Sequence, residues 1–159
     1  MDEISPVNNF AELEKRYRTT AFIYTAQIAT AVVLTIVGYF IAGRTENPIA
    51  ANSLMPLWVL ILFLAVGTFL FRRILYKWER LKDLTLLKGA DGLFKALQMN
   101  SIVLGSFAEA IAVIGFLIAE LGGARADLVR AGIVALIVFL INFPRISLWR
   151  KIAASLEKV

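Results

Sequence analysis

Four stretches of the chain are almost free of charged side chains. Thr20 to Gly43 and Leu54 to Phe71 carry no charge at all. Met99 to Leu121 carries two, Glu109 and Glu120. Ala131 to Phe143 again carries none, and Leu128, Val129 and the aliphatic stem of Arg130 lengthen it at its start. A hydrocarbon layer about 30 Å thick takes about 20 residues of helix. A membrane barrel would instead show period-2 alternation in pieces of roughly 10 residues. The pattern predicts an all-α integral membrane four-helix bundle in one domain, with spans at about 20–43, 54–75, 97–121 and 127–144.

The segments between these stretches have patterns of their own. FAELEKRY places Phe10, Leu13 and Tyr17 at helical spacing, which predicts a helix lying on the membrane surface. YKWERLKDLTLLK repeats Trp78, Leu81 and Leu84 or Leu87 on one side. The second span is therefore expected to continue outward as an amphipathic segment over about 76–92. Gly89 in GADG stops it, and a new helix starts near Leu93. Ser53 is a candidate cap for the second span. LGGARAD is short enough to make spans three and four a tight hairpin. Pro144 is expected to end or kink the fourth span, with Trp149 at the interface beyond it.

Charge fixes the expected orientation. Lys15, Arg16 and Arg18 precede the first span; Arg72, Arg73, Lys77, Arg80, Lys82, Lys88 and Lys95 separate the second from the third; Arg145, Arg150, Lys151 and Lys158 follow the fourth. Only Arg44, Arg125 and Arg130 lie in the two remaining connections. The excess of basic residues belongs on the cytoplasmic side, so both termini and the 76–92 segment are expected in the cytoplasm. The formal charge of +5 is explained this way without invoking nucleic acid. The first apolar block is too long for a signal peptide and lacks a convincing cleavage site, so the expected location is the bacterial cytoplasmic (inner) membrane.

Composition narrows the chemistry. Hydrophobic residues make up 59% and charged ones 18%, against about 45–50% and 25% in soluble domains. Cysteine and histidine are absent, which removes disulfides, thiol chemistry and the commonest metal and haem ligands. No phosphate-binding glycine pattern is present. The chain is not expected to be an enzyme, and no cofactor, metal or catalytic residue is assigned. Its expected partners are the lipid bilayer and other membrane subunits or further copies of itself.

The third span is the most informative. Ser101, Gly105, Ala108, Ala112, Gly115 and Ala119 recur at steps of four and three, a small-residue stripe that lets another helix approach closely. Glu109 borders this stripe near bilayer mid-depth. An ionised carboxylate there costs at least about 2.5–3.5 kcal/mol, so the expected state is protonated, facing protein and able to bind and release a proton. Gln27, Thr30, Thr35 and Asn142 are its candidate polar neighbours. The face Gln27, Ala31, Thr35, Gly38, Ala42 of the first span is the preferred packing surface, with Thr30, Ala31 or Leu34 nearest in depth. Glu120 lies about 16 Å farther along the helix. It is read as an interfacial ion-pair partner of Arg125 or Arg130, or as an outer way-station for a proton.

FAEAIAVIGFLIAEL resembles the carboxylate-bearing helix of the proteolipid, or c, subunits of rotary ATPases. The matching positions are Phe107, Ala108, Glu109, Ala110, Ile111, Ala112, Gly115 and Ile118. The resemblance implies that Glu109 is an ion-binding carboxylate. It covers one span only. The second span, LWVLILFLAVGTFLF, lacks the glycine-rich character of the partner helix in that family. The acid also sits on the third span, whereas four-span proteolipids carry theirs on the last. As a whole the chain resembles small four-span bacterial membrane proteins that carry such a helix. Two functions follow as expectations: a non-catalytic accessory or scaffold subunit of a larger membrane complex, or a proton-binding subunit that uses Glu109.

Overall fold

The computed structural model describes residues 6–42, 44 and 50–156, with the side chains of 6–10, 51–52 and 156 outside the described set. Every regular element in it is an α-helix: α1 (Pro6–Ile41), α2 (Ala51–Leu75), α3 (Trp78–Glu120), α4 (Arg125–Asn142) and α5 (Ile146–Leu156). Four helical stretches are long and apolar enough to cross a membrane, the fourth formed by α4 with α5. The chain thus has the make-up of a small integral membrane protein built as a helical bundle.

α3 is the axis of the bundle, and α1, α4 and α2 all pack against it. Gln27 meets Ser106 and Ala42 clusters with Ala119, so α1 and α3 run in the same direction. The C-terminal end of α2 reaches the C-terminal end of α4 through Arg72 and Ile141. α2 and α4 therefore share a direction, opposite to that of α1 and α3. One end of the bundle gathers the start of α1, the α2–α3 junction and α5. The other end holds the short α3–α4 turn at Leu121–Ala124.

The bundle holds two adjoining cores. Along the spans, Tyr24, Ala31, Ile61, Ile111, Ala112, Ala135 and Phe139 are buried together. Beyond them, Leu13, Leu81, Leu93, Phe94, Leu97, Trp149 and Ile152 form a second cluster, joining the start of α1, the first half of α3 and α5.

This second core corrects three expectations. FAELEKRY is not a separate surface helix: α1 runs through it unbroken, and Leu13 and Tyr17 face inward. Phe10 belongs to the residues whose side chains are not described. Trp149 is not an interfacial anchor, for it is fully buried against the edge of Tyr17, ring centroids 5.7 Å apart. Nor does the second span continue into the amphipathic segment. α2 stops at Leu75, Tyr76 and Lys77 break the helix, and α3 starts at Trp78.

Two further boundaries have local causes. α2 begins at Ala51 with Ala50 as its N-cap and no side-chain cap, so Ser53 sits inside the first turn. Within α3 the helix is interrupted at Gly89, whose backbone adopts φ 66°, ψ −170°. Only glycine enters that region readily, and another residue there costs about 1–3 kcal/mol. Asp91, just past the kink, pairs with Arg16 of α1 at 2.5 Å, and Arg16 also holds Glu12 at 2.7 Å. The kink thereby turns the first half of α3 across the foot of α1.

Candidate functional site

The six small residues of α3 are all buried, and their neighbours explain why they are small. A Cβ on Gly115 would lie 2.6 Å from the Cβ of Ala131 on α4. A Cβ on Gly105 would lie 2.2 Å from Gln27 Oε1 and 2.9 Å from the Tyr24 ring on α1. Ala119 shares a cluster with Ala42 and Leu128. The stripe thus meets α1 at Gly105, α4 at Gly115, and at Ala119 both α4 and the residue that follows α1. Gly38 of α1 is packed in turn against Leu128 and Phe116.

Glu109 lies on the flank of α3 that follows this seam. Residues three or four apart share a helix face, so Glu109 stands between Gly105 and Ser106 on one side and Phe116 on the other. The first two meet Gln27, and Phe116 meets Gly38. That register brings Thr30 and Ala31 of α1 to the level of Glu109. Glu109 is half-buried, with exposed Ser106 and Val113 beside it. It makes no hydrogen bond or ion pair among the described residues. Its carboxyl group is therefore reached from outside the bundle, at the edge of the seam.

Its expected neighbours are dispersed. Gln27 donates through Nε2 to Ser106 Oγ at 3.1 Å, while Ser106 donates to Ile102 O. With the hydroxyl proton committed to Ile102, Gln27 Oε1 is left buried against Gly105 without a hydrogen bond. Thr30 is exposed and donates to Ala26 O. Thr35 donates to Ala31 O and packs over Gly132 of α4. Asn142 lies at the end of α4, where it donates to Val138 O.

At the opposite end, Arg125 donates to Ala42 O at 3.4 Å and stacks over the Tyr39 ring, 5.2 Å from its centroid. It thus ties the start of α4 to the end of α1. Arg130 pairs with Asp127 at 3.3 Å. Glu120 is exposed at the end of α3. Among the described residues no three acidic, histidine or cysteine side chains are grouped to hold a metal ion.

The densest polar constellation was not singled out from the sequence. It surrounds the break between α4 and α5. Pro144 ends α4, and the carbonyls there lose their intrahelical partners. Side chains from the other helices replace them. Tyr24 donates to Phe139 O at 3.0 Å, Tyr17 to Pro144 O at 3.2 Å, and Arg72 to Ile141 O. Arg72 also reaches Asn142 Oδ1 at 3.5 Å. Next to this collar, Asn100 donates to Leu75 O at 3.1 Å, and Tyr76 shares a hydrogen bond with Ser101 at 3.1 Å. The first serves the α2–α3 break in the same way, and the second ties the Tyr76 side chain to α3. The usable signal was the proline itself: a helix it ends leaves carbonyls that need donors from elsewhere, and Tyr17, Tyr24 and Arg72 all lie near the same end.

Compared with known proteins, the chain matches no family model, no curated protein and no solved structure.

The collar makes a simple prediction. Tyr24 is fully buried, so Tyr24→Phe leaves Phe139 O without its donor and should cost about 1–3 kcal/mol. Tyr39→Phe, at an exposed ring whose hydroxyl makes no hydrogen bond among the described residues, should be close to neutral. Thermal unfolding of both variants in the same detergent, followed by circular dichroism, compares them. Equal melting temperatures would remove the collar's structural role.

Proposed function

We propose that the chain is a non-catalytic accessory or scaffold subunit of a larger membrane complex, and that it docks through the α1–α3 seam beside Glu109. The observation that carries this reading is a contrast between two outward faces. α2 presents bulky apolar side chains, among them Leu62, Phe63, Phe69 and Leu70, each more than half exposed. Such a surface suits acyl chains. Beside the α1–α3 seam, Ala26 and Thr30 of α1 and Ser106 of α3 are exposed instead, with Glu109 half-buried next to them. Small and hydroxyl-bearing residues let a further helix come close, and a carboxyl group there supplies an interhelical hydrogen bond worth about 0.6–2 kcal/mol.

The four spans are proposed to cross the cytoplasmic membrane with both termini in the cytoplasm. Supporting this, the Lys/Arg-rich segments at the start of α1, the α2–α3 junction and α5 gather at one end of the bundle. A reporter fused after Val159 should then register the cytoplasm, and one inserted near Asn47 the opposite side. Reports from the same side would refute the arrangement.

Proton binding at Glu109 is the second reading, favoured by a carboxyl group that is open to the outside of the bundle and has no partner among the described residues. Translocation would need further stations, and no other acid or base lies near mid-depth in the spans. The docking reading uses only groups already in place.

Photo-crosslinking tests it directly. A photoreactive residue at Ala26 or Ser106 should give a discrete protein adduct in native membranes, whereas one at Phe63 should give lipid adducts. Glu109→Gln should retain the protein adduct, and Glu109→Lys should abolish it. Lipid adducts alone at all three sites would overturn the proposal.

A further inference from the structure

An apolar groove between α2 and α4 adjoins the polar collar at Asn142. The groove encloses about 480 Å³ and is walled by Ala65, Val66, Phe69, Val134 and Ile137, with Asn142 at one end. Asn142 also lines a second, small cavity together with Arg72, Tyr76, Arg145 and Trp149. The two spaces share Asn142 in their walls, so the apolar slot adjoins a small pocket lined by two arginines.

The donors in that pocket are unusually free. Arg72 uses only Nη1 on the collar, towards Ile141 O and Asn142 Oδ1. Its Nε and Nη2 have no partner among the described residues. Trp149 Nε1 is buried without an acceptor. Arg145 and the nearby Arg73 form no ion pair among the described residues, whereas Arg16, Arg18 and Lys77 at the same end each hold a carboxylate. A guanidinium with an open edge binds a phosphate oxygen pair well, and a buried indole N–H requires an acceptor.

We propose that this composite site binds one anionic phospholipid, with a chain in the α2–α4 groove and its phosphate at Arg72, Arg145 and Trp149 Nε1. The charge at the mouth of the groove selects an acidic headgroup, and the adjoining slot selects a lipid over a free anion. The site lies on a different face from the docking seam, and it rests only on the membrane-spanning part of the functional reading.

The test uses the full chain extracted from membranes and reconstituted with equal amounts of dioleoyl phosphatidylglycerol and dioleoyl phosphatidylcholine. Retained lipid is counted by native mass spectrometry. Phosphatidylglycerol should be retained in preference to phosphatidylcholine. Arg145→Gln should lower its retention about fivefold, the usual worth of one basic residue beside an anionic surface. Ala65→Phe, which fills the slot without touching the collar, should lower it as well. Neither substitution removes a collar hydrogen bond, so both variants should fold as the parent does, checked by their melting temperatures. Equal retention of the two lipids, insensitivity to either substitution, or displacement of the lipid by inorganic phosphate alone would overturn the proposal. A chain recovered outside the membrane fraction would instead refute the membrane-spanning reading itself.

Discussion

In hydrocarbon, helices gain little by hiding apolar side chains from lipid, because the lipid is as apolar as they are. What brings them together is close contact between backbones, and that depends on small residues at the interface. α3 supplies them on two sides. Gly105 admits Gln27 and the Tyr24 ring, and Gly115 admits Ala131. With α1 and α4 held this closely, α3 becomes the axis, and the remaining features are placed relative to it. Glu109 lies at the rim of the α1–α3 contact because the stripe occupies the centre of that face.

A second constraint comes from the breaks. Each interruption of a helix leaves its last carbonyl groups without intrahelical partners. The structure answers with donors from distant parts of the chain: Tyr17, Tyr24 and Arg72 at the end of α4, and Asn100 at the end of α2. The same need explains an arginine at the edge of the bundle. Arg72 serves the backbone with one nitrogen and keeps the others for an anion. A structural role and a binding role thus share one side chain.

The existence of the spans was legible because charge-free runs of this length have few alternatives. The break at Pro144 and the interruption at Gly89 were legible because proline and glycine act locally. The second core was not. FAELEKRY and the Trp149 segment both look amphipathic, and amphipathicity alone does not say whether the apolar face meets lipid or protein. Leu13 and Trp149 find each other across most of the chain, where no local pattern reaches. The collar escaped for the same reason, since Tyr24 and Phe139 are separated by 115 positions and Tyr17 and Pro144 by 127. At Glu109 the stripe was readable from spacing, but the degree of exposure depended on how far α1 wraps around α3, which is a tertiary quantity.

The parallel α1–α3 seam and its register set both the depth of Glu109 and its exposure at the bundle's edge. The chain contains no cysteine, so introduced pairs report without background. Treatment of the double variant Gln27→Cys, Ser106→Cys with a short bis-maleimide in native membranes should crosslink it rapidly within one chain, since the glutamine end reaches Ser106 at 3.1 Å and the reagent fills the length that cysteine lacks. Failure of that pair, with efficient bridging of Thr35→Cys to Ser106→Cys instead, would mean a different register and would contradict the account.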